Sequence, residues 1–382
     1  MDKDGESAGA GLVCLTASRT PANAEHGSET DVNELAGWLH QEGRPVEIVA
    51  GGRRAGRDVT DDVPAALLQA WEEKRRPVGL DEASSLVAGL AFRLRRLRPD
   101  LVHAFLSADA AAARMADLPY VLGIGGIVSP DTFTGRPGLW QLFVLAAEGA
   151  RGIVCPSRAA ARELAEMFGF DVEVVPDGVE TSRFDGLRVE RQAGLVVGQL
   201  AGDDHRARAE LLVDSFPAVA QAVPGAELAL LGPTGEVRRR ALLDRLPEAL
   251  RSRVVLTGPL DRIRTAVWYA RASVTCLPAV RVAFGRPLAE SLAAGTPIVG
   301  ADDGAVPELL ADGDDPTGRV RAPSPLGAAF TADDPVSCAR ALVTVLGDGH
   351  DPSRAEACRG RAARYDWSVV GPLLVDLYGR AG

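Results

Sequence analysis

One stretch of the sequence, AFGRPLAESLAAGTPIVGADDGAVPELL at residues 283–310, combines groups that could bind a polar, anionic ligand. It reads as a loop, a helix of small residues, an apolar strand and a glycine turn before a second helix. An α/β sheet presents backbone amides to a ligand in this way. Glu290 lies one turn into the helix, where a carboxylate can accept hydrogen bonds from two adjacent hydroxyl groups. The stretch therefore predicts a ligand site at the edge of a sheet.

Composition limits the class of protein and its partners. The 382 residues are 46% hydrophobic and 25% charged, which predicts a globular chain of two domains. The formal net charge of -10 argues against a nucleic-acid partner and against an anionic membrane surface, because both favour clustered Lys and Arg. Five cysteines are scattered singly without a CxxC pair, so we expect a reduced, cytoplasmic protein that has no thiolate metal site.

Strands and helices alternate along almost the whole chain. Apolar runs such as GLVCLTAS, PVEIVAGG, DLVHAFL, PYVLGIGG and GIVCPS alternate with helical patterns, which predicts a parallel sheet. A second series follows with GLVVGQL, AELALLGP, VVLTGPL, SVTCLPA and TPIVGAD, and includes one helix over 235–248. The order predicts an α/β protein of two Rossmann-like, doubly wound domains that face each other across a cleft.

The two series set the domain boundaries. Residues 1–10 are expected to be a disordered leader, 11–185 an N-terminal Rossmann-like domain and 186–360 a C-terminal Rossmann-like domain. Residues 361–382 form a terminal helix that either caps the second domain or crosses back to the first. The polar start and the lack of a long uncharged apolar run argue against a secretory signal and a membrane helix.

At this level of detail the chain resembles the family-4 nucleotide-sugar glycosyltransferases of the GT-B fold. The resemblance rests on landmarks in order, among them VCPSRAAARELAEMFG, VVPDGVETSRF, YARASVTCLPA and the stretch at 283–310, which is the most specific. It implies a retaining enzyme that moves a sugar from a nucleoside diphosphate to a hydroxyl acceptor, a secondary metabolite or an envelope glycan. In such an enzyme residues 11–185 would form the acceptor domain and residues 186–360 the nucleotide-sugar donor domain. No cofactor and no metal are expected, and the leaving phosphate helps to deprotonate the acceptor.

The resemblance also implies roles for individual residues. Glu290 would bond the ribose hydroxyls, and Gly27 would let a loop approach the ligand closely. Independently of the resemblance, His103 at a strand end is a candidate catalytic residue, with a structural role as the alternative. Asn23 and His26, polar residues near Gly27, are candidates for binding the acceptor. The remaining predicted donor-binding residues are Gln199, Arg206, Arg208, Leu260, Phe284, Gly285, Arg286, Pro287 and Leu288.

Three positions depart from the family pattern. Val282 stands where the family has a glutamate that orients the donor sugar, and Gln199 stands where it has an arginine for the diphosphate. Gly125 and Gly126 occupy the place of a histidine near the reacting carbon. Because an aliphatic side chain cannot replace the hydrogen bonds of a carboxylate, sugar positioning must come from elsewhere or be lost.

These departures leave a second function open. A catalytically silent GT-B protein could bind a nucleotide or support an active partner glycosyltransferase. The partner of this chain could also be a second copy of itself, in a homodimer. A sugar-nucleotide epimerase uses the same fold, but the cleft acids and histidines that it needs are not evident. The Arg-rich run FRLRRLRPD at 92–100 suits a helix C-terminus, with a membrane-surface patch as the alternative. The Ala- and Arg-rich composition is typical of a GC-rich bacterial genome.

Overall fold

The computed structural model describes residues 11–17, 27–50, 81–135, 137–200, 207–311, 324–349 and 351–382. Its contacts divide the chain into two compact units. The first comprises Met1–Gly178 with Val370–Gly382, and the second is Val179–Val369. The second unit thus begins a few residues before the boundary predicted at 186, and the end of the chain lies with the first unit.

The first unit contains one six-stranded parallel sheet. Its strands are β1 (Val13–Ala17), β2 (Val46–Ala50), β3 (Leu101–Ala104), β4 (Tyr120–Gly123), β5 (Gly152–Cys155) and β6 (Glu173–Val174), in the spatial order β2-β1-β3-β4-β5-β6. The helices are α1 (Gly27–Gln41), α2 (Asp81–Leu97), α3 (Ser107–Met115), α4 (Pro130–Phe133), α5 (Pro137–Glu148) and α6 (Arg158–Phe168). All residues of β3 and β4 are buried, as expected for parallel strands covered by helices on both faces.

The second unit repeats this architecture. Its strands are β7 (Leu195–Gln199), β8 (Glu227–Leu231), β9 (Val254–Leu256), β10 (Val274–Leu277), β11 (Ile298–Ala301) and β12 (Gly327–Phe330), in the parallel order β12-β11-β10-β7-β8-β9. The helices are α7 (Ala209–Ala222), α8 (Glu236–Asp244), α9 (Glu248–Arg251), α10 (Arg262–Arg271), α11 (Arg286–Ala293), α12 (Val306–Leu310), α13 (Pro335–Gly347) and α14 (Pro352–Ala362). The prediction of two Rossmann-like α/β domains is confirmed.

The predicted elements differ from the structure in a few places. The single helix expected over 235–248 is two helices, α8 and α9, because Pro247 stands at the N-cap of the second and cannot continue the first. The sequence interpretation missed β12, whose residues Gly327–Phe330 read GAAF and lack the branched side chains typical of strands.

The last helix, α15 (Trp367–Ala381), continues from the second unit into the first. Within the first unit, Gly371 lies against the Trp38 ring of α1, and a Cβ at Gly371 would stand 2.5 Å from that ring. Leu377 packs in the same way over Gly152 at the start of β5. These contacts fix the end of the chain on the first sheet. Among the described residues, no helix has the length and apolar character needed to cross a membrane.

Candidate active site

The start of α11 follows β10 at the carboxyl edge of the second sheet. Gly285 precedes the helix with φ of 89°, a conformation that favours glycine. Pro287 has no N–H, and the Leu288 N–H donates to Gly285 O at 2.8 Å. Backbone N–H groups that could bind a ligand are therefore limited to those of Phe284, Gly285 and Arg286. The sequence had suggested the whole stretch from Phe284 to Leu288. Phe284 and Leu288 themselves are buried core side chains.

Glu290 is held among arginines. Its carboxylate oxygen Oε1 accepts a hydrogen bond from Arg183 Nη1 at 3.4 Å and lies 4.0 Å from Arg286 Nη1. All three side chains are only 11–12% exposed. Burial lowers the pKa of Arg262, and the Glu290 carboxylate opposes that lowering, so a third guanidinium lies within its field. The sequence placed Glu290 and Arg286 in the site and missed Arg183 and Arg262.

The two oxygens of Glu290 differ in their surroundings. Arg183 and Arg286 both contact Oε1. Oε2 accepts no hydrogen bond from the part of the chain that the structure describes. Glu290 is thus oriented through one oxygen while the other keeps its capacity to accept, which is the arrangement needed to bind hydroxyl groups.

The side chain of Gln199, at the end of β7, forms a hydrogen bond within the protein. Its Nε2 donates to Tyr269 Oη at 2.8 Å, and Tyr269 is 1% exposed. Burial raises the pKa of Tyr269, and the negative charge of Glu290 raises it further, so the phenol stays neutral. Gln199 thus supports Tyr269 and supplies no positive charge, and its predicted contact with the donor stays a prediction.

The loop at residues 281–285 is seated on the turn at 303–305. Arg281 N donates to Asp303 Oδ2 at 2.7 Å, and Ala305 N donates to Val282 O at 2.8 Å. Gly304 has φ of 59°, and a Cβ there would stand 2.5 Å from Val282 O. The Val282 side chain is half-buried against the apolar cluster that contains Leu288. The turn thereby fixes the loop from which α11 begins.

The other predicted donor-binding residues do not all join this group. Leu260 is half-buried and packs on the apolar core of the second unit. Arg208 forms an ion pair with Asp333 after β12. Gly27 begins α1. Asn23, His26 and Arg206 lie outside the described residues, so their predicted roles stay predictions.

His103 lies in the interior of the first unit. It is 2% exposed, its Nδ1 is 2.6 Å from Tyr378 Oη of α15, and its ring stacks on Phe105 at 4.1 Å. Burial lowers the pKa of His103 to about 3, so the imidazole is neutral near pH 7. The predicted catalytic role is untested, and this burial is typical of a histidine that anchors a helix.

Two substitutions distinguish these roles for His103. We expect His103→Gln and Tyr378→Phe each to lower the free energy of unfolding by about 0.5–1.5 kcal/mol, the net value of one hydrogen bond. A folded imidazole with a depressed pKa stabilises the protein above its unfolded pKa and loses that contribution as pH falls from about 6.5 towards 3. His103→Gln should remove this dependence in chemical denaturation. If turnover per folded molecule falls in His103→Gln and not in Tyr378→Phe, the catalytic assignment is correct.

A buried aspartate, Asp109, lies near His103, and no motif in the sequence indicated that it is buried there. Asp109, in the first turn of α3, accepts a hydrogen bond from Thr16 Oγ1 of β1 at 2.8 Å. The same hydroxyl is 3.3 Å from the His103 carbonyl oxygen. Burial raises the pKa of Asp109 to about 6, and the Thr16 hydrogen bond opposes that rise. The pair joins β1, β3 and α3 at the carboxyl edge of the first sheet.

Two parallel six-stranded units, one with an arginine-held carboxylate at its carboxyl edge, define a chain of two Rossmann-like domains. Family models match both. The model described as Glycosyltransferase Family 4 matches residues 26–183, and the model described as Glycosyl transferases group 1 matches residues 191–348. The chain belongs to the family-4-like glycosyltransferases of the GT-B fold, and the resemblance noted in the sequence is confirmed.

Individual proteins agree with this family. A phosphatidyl-myo-inositol mannosyltransferase of Mycolicibacterium smegmatis is 30% identical over 237 residues, 59% of this chain and 56% of that protein. The chain therefore spans little more than half the length of that relative. A protein of the same name from Propionibacterium freudenreichii is 26% identical over 97% of this chain and 95% of its own. The structure of Anabaena HepE in complex with UDP and glucose is 18% identical, covers 97% of this chain and 99% of its own, and has a TM-score of 0.69.

Proposed function

We propose that this glycosyltransferase moves a sugar, with retention of anomeric configuration, from a nucleoside diphosphate to a hydroxyl group of an acceptor. The observation that carries the proposal is the single open oxygen of Glu290. Arg183 and Arg286 hold the carboxylate through Oε1, and Oε2 is left to accept from ribose hydroxyls. A carboxylate fixed in this way needs little reorganisation when the ligand binds.

The charges around Glu290 favour an anionic donor. Arg183, Arg262 and Arg286 face two carboxylates, Glu290 and the Glu180 that pairs with Arg183 at 2.8 Å. The amides that precede α11 add the positive end of a helix dipole. Together these groups support the binding of a diphosphate without an arginine at position 199.

The proposed reaction uses the leaving group as its base. As the bond between the sugar and the diphosphate breaks, the developing negative charge on the phosphate oxygen is stabilised by the amides and guanidinium groups. The same oxygen then takes the proton of the acceptor hydroxyl, which attacks from the same face. In this scheme no protein nucleophile and no metal ion take part. The HepE structure holds UDP and glucose, and two of the relatives are named phosphatidyl-myo-inositol mannosyltransferases. A sugar nucleotide and a polyol hydroxyl are therefore the first substrates to test.

The test is release of nucleoside diphosphate from a panel of sugar nucleotides, with and without polyol acceptors. We expect turnover with at least one donor, and an α-linked donor should give an α-linked product by NMR. An inverted product would overturn the retaining mechanism. Binding of the nucleotide without turnover on any donor would favour the silent, partner-supporting protein instead.

Val282→Glu probes the sugar half of the site. We expect this change to raise turnover of the sugar nucleotide by about tenfold, because a carboxylate can accept hydrogen bonds from sugar hydroxyls and valine cannot. Affinity for the free nucleoside diphosphate should stay within about twofold, since the family pattern gives this position to the sugar. Val282→Gln is the matched neutral control. Unchanged turnover in Val282→Glu would show that other groups already position the sugar.

A further inference from the structure

A cavity of about 180 Å³ lies in the second unit, away from Glu290. Gly194, Ser273 and Pro297, which line it, directly precede β7, β10 and β11. The cavity is therefore at the amino edge of the sheet, whereas Gln199 and the 281–285 loop are at the carboxyl edge. We call it the amino-edge cavity. Its other lining residues are Arg191, Ala193, Gly295, Val345, Leu346, Gly349, Arg354 and Ala355.

The charged side chains among these lining residues are Arg191 and Arg354, with no carboxylate. Arg191 donates to Thr296 Oγ1 at 2.6 Å, to Gly295 O at 3.2 Å and to Ala272 O. Every one of these acceptors is neutral. The charge of Arg191 thus has hydrogen-bond partners but no counter-ion among them.

Arg354 is held in a similar way. It is 7% exposed, and it donates from Nε to Pro325 O at 3.0 Å and from Nη1 to Val345 O at 3.1 Å. Among the described residues, the carboxylate that contacts Arg354 is that of Asp348, 3.5 Å away, and its side chain is 54% exposed. Nη2 of Arg354 is buried and has no hydrogen-bond partner within the described ranges.

A third guanidinium adds to the positive charge. Arg359 Nη1 lies over Gly295, 2.5 Å from where a Cβ would stand. Burial lowers the pKa of Arg191, and repulsion from Arg359 contributes to the lowering. Among the described residues here, Arg191, Arg354 and the exposed Arg359 face one exposed aspartate, which leaves two positive charges in excess. Bringing like charges together in a partly buried place is unfavourable unless an anion joins them.

The rest of the wall is apolar. Pro297, Val345, Leu346 and Ala355 supply hydrocarbon surface beside the guanidinium groups. A cavity of about 150 Å³ can hold benzene, so this one accommodates a ligand somewhat larger than a bare phosphate ion. We propose that the amino-edge cavity binds a small organic anion, with its phosphate or carboxylate on Arg191 and Arg354 and its short organic body on the apolar wall. The site is separate from Glu290 and does not depend on the proposed function.

Calorimetric titration of the purified chain tests this proposal, with glycerol 3-phosphate and inorganic phosphate as probes and sodium chloride at equal ionic strength as reference. We expect saturable binding of glycerol 3-phosphate, tighter than that of inorganic phosphate. Equal affinity for the two would assign the site to inorganic phosphate, the same anion chemistry without the organic body. Absence of saturable binding of either probe at millimolar concentrations would overturn the proposal.

Variants locate the binding. Ala193 is exposed and lines the cavity, so Ala193→Glu places a carboxylate beside the arginines without removing an existing contact. We expect it to weaken glycerol 3-phosphate binding at least tenfold. Arg354→Gln should do the same if it folds, and Arg240→Gln, an exposed arginine on α8, should have no effect. Undiminished binding in Ala193→Glu would place the anion elsewhere and refute this site, whether or not Arg354→Gln folds.

Discussion

Replacing Glu290 by alanine should weaken nucleoside diphosphate binding by about 1–3 kcal/mol, a factor of about 5 to 150. The side chain is 12% exposed, and its Oε1 is held by Arg183 and Arg286, so the loss falls on a carboxylate that is already in place. Turnover of the sugar nucleotide should fall by at least the same factor. Calorimetry with UDP and GDP measures the affinity, and Glu236→Ala, an exposed acid on α8, is the control.

The alanine variant alone does not prove a contact with ribose, because it also removes a partner of Arg183 and Arg286. A thermodynamic cycle that combines the Glu290→Ala change with removal of a ribose hydroxyl from the nucleotide isolates the contact between Glu290 and ribose. For the unchanged protein, the 2′-deoxy nucleotide should bind more weakly than the ribonucleotide, since one hydroxyl donor is missing. In Glu290→Ala the two nucleotides should bind equally. If the deoxy penalty is the same in both proteins, the ribose assignment of Glu290 is wrong.

The fold could be predicted because the signal is repeated and local. Each of the buried strands β3, β4 and β10 is a short apolar run bounded by turn residues, and the alternation with helices determines a parallel sheet. β12 was not predicted because its Gly and Ala residues have no clear preference for strand, helix or loop. The break between α8 and α9 was missed although Pro247 is a helix-breaking residue, because the sequence on both sides of it has a helical pattern.

The candidate site was predictable only in part. Glu290 stood out as a carboxylate on a helix of small residues, and Gly285 and Pro287 were among the predicted donor-binding residues. Arg183 is 107 residues away in sequence, and nothing in TSRF indicates that its guanidinium reaches Oε1 of Glu290. Such pairs depend on where a turn meets a helix in three dimensions, which periodicity does not encode. The hydrogen bond from Gln199 to Tyr269 escaped for the same reason.

Gly304→Ala should lower turnover of the sugar nucleotide by about 100-fold while the second unit remains folded. A Cβ at this position would stand 2.5 Å from Val282 O and 2.7 Å from Val282 N, whereas ordinary contacts begin at 3.4 Å. Because both atoms are backbone, no side chain can rotate away, and the 281–285 loop must move by about 1 Å. That loop carries the amides before α11 and sets the position of Glu290.

Gly225→Ala is the matched control for Gly304→Ala. Gly225 has φ of 82°, close in kind to the 59° of Gly304, but a Cβ there would meet nothing within 4 Å. Both variants bear the cost of a side chain in the left-handed region, roughly 1–2 kcal/mol, and only Gly304→Ala displaces the loop. Thermal unfolding should thus show a comparable loss for both, with a further loss for Gly304→Ala, and turnover should fall in Gly304→Ala alone. Equal turnover in the two variants would show that the packing of the 281–285 loop against the 303–305 turn does not position the donor.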